Sequence, residues 1–196
     1  MQLSSENDGS RAEIPNMLAT TSTDLRQNNN VVPFPESALV RVNRDPNVLA
    51  VFFAKYIHEG WRVEPAEPSL CTSAIEHFDL TKVLLPTCTA DDEVSLTLDE
   101  RMRRMDENGF VPLDAYAFVA LWEKRSLFPE VWKENIREWW AFHFIAGSYF
   151  YNKNNVKHLL HFRFRINDWE FSFRPADREL QPSSTMLALT RGMFMD

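Results

Sequence analysis

Histidines, cysteines and grouped carboxylates are the residues of this chain that could do chemistry, and their spacing decides which kinds. The histidines are His58, His77, His143, His158 and His161. His158 and His161 stand three apart. On a helix that spacing can make a metal pair, but on a strand it sends the rings to opposite faces. The HExxH pattern of a zinc protease is absent. Cys71 and Cys88 belong to no CxxC pair, and two cysteines make no disulfide framework in a chain of this size, so two reduced thiols are expected. Cys71 and His77 are neighbours in sequence, yet no nucleophile elbow or cysteine-protease signature surrounds them. Only 5 glycines occur, none in GxGxxG or GxxxxGK[ST], which disfavours a phosphate-cradling nucleotide enzyme. Asp91, Asp92 and Glu93 read as a solvated acidic loop. Asp168 and Glu170 beside basic residues leave a loose nuclease-like pattern. No metal and no cofactor is expected, and catalytic residues are unassigned.

One pattern is more definite. In HLLHFRFRINDWEFSFR, residues 158–174, every second residue is apolar: Leu160, Phe162, Phe164 and Ile166. The alternate positions are basic. Lys157, His161, Arg163 and Arg165 share a face if the segment is a strand, with Leu159 among them. Arg174 from the next strand and His143 from the preceding one are expected to join them. Residues 137–178 hold seven Lys/Arg against four Asp/Glu, a surplus of three positive charges in a chain whose net charge is −7. Three readings stay open. The face can be the wet or internally paired side of a small sheet. It can dock an acidic protein surface. It can also bind single-stranded nucleic acid by charge and stacking.

Several elements must position these residues. Asp45 and Pro46 open a first helix with Val48, Leu49, Phe52, Phe53 and Tyr56 on one face, stopped at Gly60. Residues 61–72 carry two prolines and read as a linker. Residues 77–86 read as a short extended piece. Thr97 and Glu100 form a capping box for a second helix, whose Arg101, Arg103 and Arg104 are expected to be solvated. A third helix is expected over 114–125, capped by Asp114 and carrying Phe118, Leu121 and Trp122. From residue 139 the period becomes 2. Strands are expected at 139–151 with a kink at Gly147, then across the second stretch, then through WEFSFRP after a turn at Asn167–Asp168. Ser183 or Ser184 is expected to cap a terminal helix bearing Met186, Leu187, Leu189 and Met193.

The fold class expected is α+β. Three or four helices pack on one face of a C-terminal three-stranded antiparallel sheet, with a terminal helix over 183–194. Residues 1–32 are polar and read as a flexible N-terminal arm. Residues 33–196 read as one domain, helical over 45–135 and a β-meander over 139–174. Hydrophobic residues make up 44% and aromatics 13%, enough for a packed core. No apolar run reaches membrane-spanning length, and no secretory leader is visible, so a cytoplasmic protein without membrane contact is expected.

The order FDLTK (Phe78 to Lys82), RMRRM (Arg101 to Met105), DAYAFVALWE (Asp114 to Glu123), PEVWK (Pro129 to Lys133) and PSSTMLA (Pro182 to Ala188) resembles a group of short uncharacterised bacterial proteins. Their pattern is F-D-x-x-K, an L-R-R helix, P-E-x-W-K and an aromatic β-meander. The resemblance spans roughly 75–190. It departs in the turns, where this chain has NKNN and IND, and in the segment 1–70. It implies a small bacterial cytoplasmic α+β protein and carries no activity. The function expected is therefore that of a non-enzymatic interaction protein binding another protein through the basic sheet face or the N-terminal arm. Single-stranded nucleic-acid binding by the same face is the alternative, and a small hydrolase or nuclease comes third. The oligomeric state is left open.

Overall fold

The computed structural model describes residues 38–54, 60–66, 72–90, 92–134 and 142–194. The expected N-terminal arm, Cys71, Tyr56 and His58 lie outside the described residues. The chain is a mixed α+β protein, with four α-helices and several antiparallel sheets among the described residues.

Helix α1, Pro46–Phe53, starts as its sequence directs: the Asp45 side chain accepts from Asn47 N, and proline takes the first turn. It buries Leu49 and Phe53. It is flanked by strands β1 (Leu39–Arg41) and β3 (His77–Asp79), which form a small antiparallel pair. Helix α2, Leu98–Glu107, is capped by Thr97, whose hydroxyl accepts from Glu100 N at 3.2 Å. The Glu100 carboxylate does not return to the cap but binds Arg103 and Arg104. Helix α3, Ala115–Glu123, is apolar nearly all round and sits inside the molecule. The short α4, Glu130–Glu134, brings in Trp132.

The main sheet has five strands, not the three expected. Its order is β2 (Arg62–Pro65), β5 (His143–Tyr151), β6 (Lys157–Arg165), β7 (Asp168–Pro175), all antiparallel, with β8 (Thr185–Met186) added in parallel beside β5. β2 runs along Ser148–Tyr151 of β5, and β8 along His143–Phe144, so the two additions share one edge of β5. Pro65, which helped disguise β2 as a linker, is tolerated because β2 is an edge strand. Between these two additions lies Gly147. Its N–H donates to Leu113 O at 2.9 Å, and a Cβ there would sit 2.6 Å from that oxygen. The β5–β6 register shifts between Ile145 and Phe150, across this crossing point.

The expected terminal helix is replaced by β8, by β9 (Ala188–Thr190) paired with β4 (Phe110–Pro112), and by a 3-10 turn at Arg191–Phe194. The reason is burial. Met186, Leu187, Ala188 and Leu189 are four successive residues, each at most 1% exposed. A surface helix would turn one of these outward, whereas extended backbone buried on both sides holds them all.

Both faces of the main sheet are covered, which corrects the one-sided packing expected. One face packs Ile145, Leu160, Phe162 and Trp169 against α1, α3 and α4. The other packs Phe144, Ala146 and Leu159 against Leu98, Met102 and Met105 of α2 and against Leu180 and Met186.

Candidate interaction surface

The β5–β6–β7 register sorts the candidate residues. His161 lies opposite Phe144 and Ser172, Arg163 opposite Glu170, Arg165 opposite Asp168 and Leu159 opposite Arg174. Lys157, His161, Arg163, Arg165 and Arg174 therefore share a face. His143 does not. It lies opposite Phe162 and so points to the other side, against the sequence expectation. There it is 2% exposed, and its Nε2 faces Trp132 O at 2.9 Å while Nδ1 faces Thr185 Oγ1 at 2.7 Å. A carbonyl can only accept, so Nε2 carries the hydrogen and the threonine hydroxyl donates to Nδ1. Burial pushes the His143 pKa down to about 4, which keeps the ring neutral. His143 fastens α4 to β8 and belongs to the core.

The basic ladder is graded along its length. At the inner end Leu159 is buried, and Lys157 reaches out over the Tyr149 ring at 4.2 Å. In the middle, His161 lies 4.6 Å from the Phe142 ring and 5.5 Å from the Phe144 ring. Burial, and then the charges of Arg163 and Arg174, push its pKa down to about 4. The ring is neutral at pH 7 and adds no charge to the ladder. Arg174 donates to Glu179 O at 3.0 Å. Arg163 donates through Nε to Glu170 Oε1 at 2.6 Å and stacks over Phe142 at 5.2 Å. Arg165 lies 3.9 Å from the same carboxylate oxygen and is 55% exposed. Glu170 thus stands between the two arginines. The aromatic rings of this face lie under the cations rather than beside them.

At the outer end the chain turns. Ile166 and Asn167 have φ of 50° and 65°, a two-residue hairpin of the mirror-image type. Sequence reading had put Ile166 on the apolar face of β6 and the turn one residue later. In the structure Ile166 is 86% exposed at the hairpin tip. Asn or Gly normally fills such a position, because a β-branched side chain crowds the left-handed backbone.

The arginines of α2 divide as well. Arg103 is on the solvated side, paired with Glu100 and Glu107. Arg104 is bidentate to Glu93 at 2.6 Å through each nitrogen and also holds Cys88 O at 3.1 Å, which pins the acidic loop. Arg101 is buried, against expectation. Arg101 and Ile166, like His143, are residues whose placement the sequence did not betray. Among the described residues no helix is long and apolar enough to cross a membrane. No protein-family model, curated protein or solved structure matches the chain.

Proposed function

We propose that the chain is a non-enzymatic interaction protein that binds another protein on the β6–β7 hairpin, with Ile166 as the apolar anchor and Arg165 and Arg163 as its basic rim. The observation that carries this reading is the strained and exposed Ile166. A non-glycine residue held in the left-handed region costs on the order of 1–3 kcal/mol. An isoleucine there also leaves its side chain in water. Both penalties are offset where a partner pocket receives the side chain. An apolar residue bordered by arginine is the usual make-up of an interface centre and its surround. The nucleic-acid alternative is weaker on the same surface. Glu170 interrupts the positive charge, and the rings of Phe142 and Tyr149 are covered by Arg163 and Lys157.

The test compares wild type with Arg163→Glu/Arg165→Glu. Each protein is used as bait in host extract and titrated with a single-stranded oligonucleotide at low and high salt. The reading expects a protein captured by wild type and lost from the double variant, with no salt-sensitive oligonucleotide binding. Identical captured sets would remove this face from the account. Salt-dependent oligonucleotide binding lost in the double variant would replace a protein partner with nucleic acid.

A further inference from the structure

Arg101 is 0% exposed, inside the apolar cluster that joins α2 to the sheet. A charge in such a place is tolerated when it is paired and its hydrogen-bonding groups are satisfied. Its Nη atoms are satisfied by carbonyls: Nη1 donates to Ser184 O, and Nη2 to Gln181 O at 2.9 Å and Leu180 O at 3.5 Å. Its Nε has no acceptor among the described residues, and neither does the hydroxyl of Ser184, which is 0% exposed.

Among the described residues no carboxylate pairs with the guanidinium. Glu93 is spent on Arg104, and Glu100 on Arg103 and Arg104. Cys88 is 3% exposed, in the same cluster. Burial pushes its thiol up to about 11, so at neutral pH it is S–H and not a counter-ion. Arg101 therefore brings a positive charge and an N–H without an acceptor beside Ser184, whose own hydroxyl is also unpartnered among the described residues. The nearby carbonyls already face the guanidinium, so the spot is rich in donors and poor in acceptors.

We propose that Arg101 Nε and the Ser184 hydroxyl form an internal receptor for a small monatomic anion, a halide, between α2 and the 180–184 segment. Nε–H can only donate, and an anion can only accept. The ion supplies the counter-charge that the neighbouring glutamates do not, and full burial limits it to one atom. The site is independent of the hairpin and of any protein partner.

Thermal unfolding at fixed ionic strength, in sodium chloride, sodium bromide or sodium gluconate, tests this. Gluconate is too large to enter. The wild-type Tm is expected to be higher in chloride and bromide than in gluconate, and to rise by about 3–5 °C per tenfold of chloride once the site is filling. Ser184→Ala is expected to shrink that shift and Arg101→Met to abolish it. A bromide-grown crystal is expected to show an anomalous peak within hydrogen-bonding distance of Nε. Equal Tm values in chloride and gluconate would overturn the proposal in favour of water. So would a chloride shift that persists undiminished in Ser184→Ala, a result that decides the matter even if Arg101→Met fails to fold.

Discussion

His143 shows how much a single ring can fix. Burial holds it neutral, against the pull of its hydrogen bond to Trp132 O, and its pKa falls from 6.5 to about 4. The unfolded chain then binds a proton that the folded one refuses. Stability from this group is complete above pH 6.5 and declines as pH falls toward 4, by roughly 3 kcal/mol from the size of the shift. His161 shifts in the same direction. Urea unfolding at pH 7, 5.5 and 4.5 is expected to show this decline, and His143→Phe to flatten part of it while His161 keeps the rest. An unchanged slope in His143→Phe would assign the acid sensitivity elsewhere. Asp114 does two jobs at once, capping α3 through Ala117 N at 2.8 Å and pairing with Arg44 at 2.5 Å. Asp114→Ala is expected to cost about 3 kcal/mol in chemical denaturation, because it strands the α3 cap and leaves Arg44 without its anion. A loss of a few tenths would refute both roles. Asp114 and Thr97 were legible as caps because capping depends on a local side chain and the next turn. Arg101 was not legible: three arginines in four residues look alike until the 180–184 segment selects one of them.

At the scale of elements, helices α1, α2 and α3 were readable from their caps and periodic faces, as were the three long strands from their alternation. The hairpin register was not. A turn at Ile166–Asn167 and a turn at Asn167–Asp168 both place Phe162 and Phe164 on the side of Phe171, since the two registers differ by two residues and preserve faces. Local turn chemistry favours the second. The structure adopts the first, which sets Arg163 opposite Glu170 and Arg165 opposite Asp168. Of the two opposed pairs only Arg163 and Glu170 form an ion pair, at 2.6 Å, and the strain of the turn stays at Ile166. Gly147 is an element-scale feature too. Its expected role as a kink was visible, but its reason, the Leu113 carbonyl against its Cα, is a contact between distant segments. Gly147→Ala is expected to destabilise by about 2–3 kcal/mol or to displace β2, read out by denaturation and by hydrogen exchange of the Arg62–Pro65 amides. Full stability in that variant would show that the crossing is loose.

For the whole molecule, the α+β class and the aromatic core followed from composition and pattern. The second covered face did not, because what joins the methionines of α2 there comes from short pieces: β8, Cys88 and Leu180. Pieces of two to four residues carry no period. That covering is what reduces the basic ladder from a broad sheet face to a strip, neutralised in its middle by a buried histidine and a shared glutamate, and open at the hairpin tip. A protein partner held at that tip is the central claim, and Ile166→Asn tests it most directly, because it separates binding from folding by sign. Thermal melts and partner capture are measured on the same preparation. Asparagine fits the left-handed backbone, so the variant is expected to be more stable by about 1 kcal/mol, or roughly 2–4 °C in Tm, and to lose the partner that wild type captures. A variant that is less stable, or that captures the partner as well as wild type does, would contradict the account.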